Sequence, residues 1–195
     1  MIGLVKLSIA LSALRAWAIG GNYPLVKEQS RIVGGSEVEP HSIPWQVHLG
    51  DVKCGGTIIC PRFVMTAAHC FEHKAAKEVY VGLHNVEDDL TEDRMHEVKN
   101  IHKHPKYEVM PAGVNYDFAI LELMHPINMS SDAKAIFLPN GKEKYNDDSL
   151  FLTSGWGRTS FGGDPSDTLQ SYLHYHLSRC LFCHFLCHQH TSFEE

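Results

Sequence analysis

An all-β barrel or sandwich is the fold class that the residue pattern of this chain implies, and two observations carry it. Between residues 32 and 152 the apolar residues come in short runs, among them 45–49 (WQVHL), 57–59 (TII) and 79–81 (VYV), each separated from the next by Gly, Pro, Asp or Asn. Runs of that length punctuated by turn formers read as strands, and many of them in succession favour a barrel or a sandwich. Only residues 70–77 (CFEHKAAK) have the propensity for a helical turn or two. No internal repeat marks a solenoid.

Composition narrows the class. With 195 residues, 44% of them hydrophobic and 21% charged, the chain has globular composition. The net charge is -6 and the 17 Lys and Arg are scattered. There is no basic stripe to neutralise phosphates, so no nucleic-acid partner is expected.

The segments follow in order. Lys6 precedes the apolar run 7–14, and Ala16, Trp17 and Ala18 supply an A-x-A pattern, so residues 1–18 read as a secretory signal peptide. Arg15 falls late in the apolar region, and an uncleaved amphipathic anchor is the alternative. No later segment is long and apolar enough to span a bilayer, so no membrane contact is expected after signal removal. Residues 19–31 mix Gly, Pro and charge, as a linker does, and meet a domain at Ile32.

A secreted, extracellular setting makes disulfides the default for the six cysteines. Cys54 and Cys70 are near enough in sequence to close a local loop, Cys60 lies between them, and Cys180, Cys183 and Cys187 crowd the C-terminal part. Residues 87–97 (EDDLTEDRMHE) read as a solvated loop and its flanking strand. Asn128, Met129 and Ser130 form a glycosylation sequon in a polar turn, or a chance match to one.

Three separated segments carry chemistry: RIVGG at 31–35, TAAHC at 66–70 and NYDFAILEL at 115–123. Together with CGGT at 54–57, PWQ at 44–46 and SGWG at 154–157, in this order and at this spacing, they resemble the chymotrypsin and trypsin family of serine proteases over residues 32–170. The resemblance implies two antiparallel β-barrels, the first complete within about residues 32–140 and the second represented by its opening strands. It also implies that His69 is a general base and Asp117 its orienting carboxylate. A serine hydroxyl is a poor nucleophile until an imidazole takes its proton, and that imidazole needs a carboxylate to hold its tautomer. Among 14 histidines, His69 stands out only through its TAAHC context.

By the same resemblance Cys54 pairs with Cys70, and cleavage between Arg31 and Ile32 by an activating trypsin-like protease frees an ammonium that pairs with an aspartate beside the catalytic serine. Residues 19–31 are then an activation propeptide. Protein or peptide substrates and inhibitors are the expected partners. Calcium, which some relatives hold in the loop corresponding to residues 82–97, is not expected, since Leu83 stands where a carboxylate is needed.

The departure from the family is the pattern GDSGG, which occurs nowhere in residues 1–195. FGGDPS at 161–166 has similar letters in another order and reads as a turn. Residues 171–195 change character, with five His and three Cys and no strand pattern. Cys180, Cys183 and His184 match a haem-attachment spacing, and Cys180, Cys183, Cys187 with His184, His188 or His190 could supply zinc ligands, but an unselected tail is the simpler reading and no metal or cofactor is expected. Two functions remain: a serine endopeptidase whose present residues lack the nucleophile and are inactive as they stand, or a secreted non-catalytic homologue that binds proteins.

Overall fold

The computed structural model describes residues 35–111, 113–142, 149–160 and 162–175. Residues 1–34, which hold the expected signal and activation segments and the Arg31–Ile32 bond, and residues 176–195, with Cys180, Cys183 and Cys187, lie outside the described residues.

Strands dominate. In chain order they are β1 (Ser36–Glu37), β2 (Gln46–Leu49), β3 (Cys54–Cys60), β4 (Phe63–Thr66), β5 (Glu78–Val81), β6 (Met95–Lys103), β7 (Glu108–Met110), β8 (Gly113–Asn115), β9 (Ala119–Leu123), β10 (Leu150–Gly155) and β11 (Gln170–Tyr175). Six of them form a closed barrel in the order β2-β3-β4-β9-β6-β5, with β5 returning to β2 through Val47 opposite Val81. Closure leaves none of these strands with an open edge.

Alternation along the strands explains what fills the barrel. On β9, Ala119, Leu121 and Leu123 are fully buried while Ile120 and Glu122 are not, and on β5 Val79 and Val81 are buried while Glu78 and Tyr80 are not. These side chains meet Val47, Leu49, Ile58, Val64 and Phe71 in one core. Gly56 belongs to this packing through what it lacks. A Cβ there would lie 3.0 Å from both Val47 Cγ2 and Val64 Cγ1 and 3.1 Å from the Met65 carbonyl.

The remaining strands make a three-stranded antiparallel sheet, β1-β11-β10, with Ser36 opposite Ser171 and Ser171 opposite Ser154. These are the opening strands of the second barrel. A second core of Val38, Ile43, Trp45, Leu83, Ile136, Trp156 and Leu169 joins this sheet to the first barrel. Trp156 is central to the joint: its indole Nε1 donates to the His84 carbonyl at 3.0 Å and its ring meets the edge of His48 at 5.5 Å. Backbone bonds from Val86 to Asp167 and from Leu169 to His84 reinforce it.

Two local expectations differ from what forms. Residues 70–77 do not make a helix beyond a single 3-10 turn at His69–Phe71. Tertiary ties hold that segment: Lys103 Nζ donates to the Phe71 carbonyl and Lys74 Nζ to the Asp51 carbonyl. The acidic stretch is more structured than a plain loop. A helical turn α1 (Val86–Asp89) is capped by Asn85, whose Oδ1 accepts from the Glu87 and Asp88 amides, and a 3-10 turn follows at Glu92–Arg94.

Candidate active site

Pairing of β4 with β9 builds the site. Thr66 at the end of β4 lies opposite Ala119 at the start of β9, so the residues that follow the one strand and precede the other meet at one rim of the barrel. Those residues are His69 and Asp117. The buried Thr66 fixes the end of β4 by donating from Oγ1 to the Gly55 carbonyl at 2.7 Å.

His69 Nδ1 and Asp117 Oδ2 are 2.7 Å apart, and the other carboxylate oxygen, Oδ1, accepts the backbone N–H of His69 at 2.9 Å. Asp117 is 3% exposed and the His69 side chain 27%. Both carboxylate oxygens are therefore satisfied by one residue, and a buried carboxylate needs such donors. With Nδ1 bearing the proton toward Asp117, the ring's lone pair is on Nε2.

The backbone around Asp117 is tightly bent. Phe118 N–H donates to the Tyr116 carbonyl at 2.8 Å, closing a three-residue turn with Asp117 at its centre. Tyr116 takes up a φ of 50°, a left-handed conformation uncommon outside glycine. Its ring is held by stacking on His104 at 4.8 Å, and Lys106 Nζ lies 5.7 Å from the ring centre. Strain of this kind persists only where surrounding contacts over-determine it.

The loop bearing His69 is secured from two sides. Cys54 and Cys70 are joined by a disulfide that ties the start of β3 to the 3-10 turn. On the other side Tyr107 OH donates to Glu72 Oε1. Burial, and then Glu72, push the Tyr107 hydroxyl's pKa up, which keeps it a donor. Tyr107, Glu72, Lys103 and His104 carry no motif, and sequence reasoning missed them; they meet the site only through tertiary contact. Tyr116 falls within the NYD motif, but nothing in the sequence marked its left-handed backbone.

Other predicted residues fall elsewhere. Asn128 is exposed in the loop after β9, and Cys60, at the end of β3, is the free cysteine among the described residues. The loop at 82–97 is closed on itself: Asp89 Oδ2 accepts the amides of His84 and Asn85, the Arg94 guanidinium donates to the Gly82 carbonyl, and Leu83 is buried. In the segment at 161–166, Gly162 turns with a φ of 69°. Ser166 Oγ donates to the Thr168 carbonyl, and Ser171 is buried in β11. Among the described residues, donor-type atoms of Cys54, His69 and Cys70 lie within 4.8 Å of one another, but the two sulfurs are bonded to each other and do not make a metal site.

Known proteins share this organisation. A family model described as Trypsin matches residues 32–183. Kallikrein-1E2 of Equus caballus is 33% identical over 166 residues, covering 78% of this chain and 62% of its own length. Trypsin 5G1 of Aedes aegypti is 32% identical over 163 residues, 78% of this chain and 59% of its own, and Trypsin of Simulium vittatum is 37% identical over 171 residues, 81% and 67%. The chain thus spans less than two thirds of the first two relatives it matches. Closed barrel, opening strands of a second and a family match over most of the sequence agree, and the chain belongs to the chymotrypsin and trypsin family of serine proteases.

Proposed function

We propose that this chain carries the base half of a serine endopeptidase site, with His69 as general base and Asp117 as its orienting carboxylate, directed at peptide bonds of protein or peptide substrates. The observation that supports this reading is the 2.7 Å contact between His69 Nδ1 and the buried Asp117 Oδ2. In such a site the imidazole takes the proton of the attacking hydroxyl and returns it to the leaving amine, while the carboxylate steadies the imidazolium that forms between.

Residues 1–195 as they stand are proposed to be inactive in hydrolysis, because they contain no GDSGG segment to supply nucleophile, oxyanion donors and a partner for the Ile32 ammonium. Residues 1–18 direct secretion and 19–31 form an activation propeptide; the protease domain begins at 32 and runs past the boundary at 170 expected from the sequence, since residues 171–175 belong to β11, and the divergent tail follows. An activating trypsin-like protease cuts after Arg31, and Asn128 is the glycosylation site.

The test is a polypeptide of residues 1–195, treated with a fluorophosphonate probe before and after trypsin cleavage at Arg31. No labelling is expected. Labelling that disappears in His69→Ala would overturn the inactivity and point to Ser166 or Ser171. The base assignment has its own readout: a downfield His69 Nδ1 proton in the NMR spectrum, expected to vanish in Asp117→Ala.

A second reading, a protein-binding homologue without catalysis, is favoured by the exposed apolar pair Phe137 at 85% and Leu138 at 51%. Retention of a protein partner that Phe137→Ser abolishes, without any probe labelling, would select it.

A further inference from the structure

The turn that bears His69 has little support of its own. It is a single 3-10 turn, His69–Phe71, with no side-chain cap, and residues 72–75 after it are exposed and belong to no strand or helix. The disulfide fixes this turn to β3, which leaves its distance from the Asp117 turn to be set by other contacts.

Those contacts come from residues 103–107, at the end of β6. Lys103 Nζ donates to the Phe71 carbonyl at 2.8 Å and Tyr107 OH donates to Glu72 Oε1, so two bonds reach the turn bearing His69. The same five residues grip the other turn. His104 N–H donates to the Phe118 carbonyl at 3.0 Å, and the His104 ring lies 4.8 Å from the ring of Tyr116 and 4.5 Å from that of Phe118, the two neighbours of Asp117. We propose that residues 103–107 are a brace that sets the separation of His69 and Asp117, with Tyr107 as its positioning residue, acting through Glu72. The inference rests on the reading of His69 as a base and deepens it.

Internal contacts stiffen the brace. Tyr107 N–H donates to the His104 carbonyl at 2.9 Å and Lys106 N–H to His104 Nδ1 at 3.2 Å. The Lys103 ammonium lies 5.7 Å from the centre of the Tyr107 ring, and Lys103 stands opposite Ala119 in the β6–β9 register. One short piece of backbone therefore carries both turns. Its members and the two turns all fall within residues 69–118, so the pair needs nothing from the sheet β1-β11-β10.

The chemistry explains why such a brace matters. An imidazole serves as base only while its ring is held at the productive distance and angle, and small displacements are costly. The bond from Tyr107 ends on a carboxylate, which makes it stronger than a bond between neutral groups. It is also the contact that a single atom can delete.

The experiment uses the full chain labelled with 15N-histidine and reads the downfield His69 Nδ1 proton and its rate of exchange with water. Tyr107→Phe is expected to speed that exchange about 10-fold, the worth of one hydrogen bond to a charged group, and Lys103→Met to act in the same direction. Glu72→Gln keeps an acceptor and should stay near the parent rate. Glu72→Ala should match Tyr107→Phe, and reads the same contact from its exposed end should Tyr107→Phe not fold. Tyr80→Phe is the control: it deletes another Tyr–Glu bond of the barrel, from Tyr80 OH to Glu78 Oε2 at 3.0 Å, and should leave the exchange unchanged. A parent resonance that neither Tyr107→Phe nor Glu72→Ala disturbs overturns the brace and leaves the base reading standing. Equal acceleration in Tyr80→Phe also overturns it, since a general loosening would then suffice. A parent without the downfield proton overturns the base reading, and the brace with it.

Discussion

His48 on β2 shows how one buried side chain can set a response to acid. It packs edge-on against Trp156, its Nδ1 has no hydrogen-bond partner, and burial, assisted by the nearby Lys53 charge, lowers its pKa to about 4. Below the ordinary histidine value near 6.5 the unfolded chain binds a proton at this ring that the folded chain refuses until about pH 4. Stability therefore falls as pH drops through that window, by on the order of 3 kcal/mol. His48→Phe is expected to flatten the pH dependence of denaturant unfolding between those limits; an unaltered slope would assign the acid sensitivity to other groups. The same scale shows how legible the site was. His69 and Asp117 sit in local motifs, so their positions could be read directly from TAAHC and NYD. Tyr116 belongs to the same NYD, yet its φ of 50°, which shapes the turn around Asp117, could not be read there, because the contacts that accompany it, His104 and Lys106 on its ring, come from outside the motif.

At the level of the element, the strands that could be read were those whose apolar residues alternate or run together, such as 57–59 and 79–81. β3 extends through Cys54, Gly55 and Gly56, where strand propensity is low, because close approach of β2 and β4 favours residues without bulk. Gly56→Ala tests this directly. Its added methyl meets two valine side chains and a carbonyl, so a cost of about 1–3 kcal/mol is expected in chemical denaturation. Gly157→Ala, with nothing within 4 Å of the new atom, is the matched control and should stay within about 0.5 kcal/mol of the parent. Equal effects at both positions would mean that backbone freedom, not crowding, governs. β1 escaped sequence reading for a different reason: it consists of two polar residues, and nothing local distinguishes them from a loop.

For the molecule as a whole, Trp156 is the joint between barrel and sheet. Trp156→Ala removes a buried indole, its bond to the His84 carbonyl and its contact with His48, at a cost of about 3–5 kcal/mol. The expected consequence is uneven: amide exchange accelerates in β10 and β11 while the barrel strands stay protected, and uniform acceleration would show the two halves to be one cooperative unit. β1 adds a consequence for synthesis. Its register joins Ser36 to Ser171 and Glu37 to Gln170, so a strand made early is completed only by one made late. At a translation rate of about 5–20 residues per second, roughly ten seconds pass between them. During that interval all six barrel strands have emerged and can close, while β1 waits with its backbone unpaired. Among the described strands assembly thus runs outward from the barrel, and β1, made before the barrel strands, is clasped after they have closed.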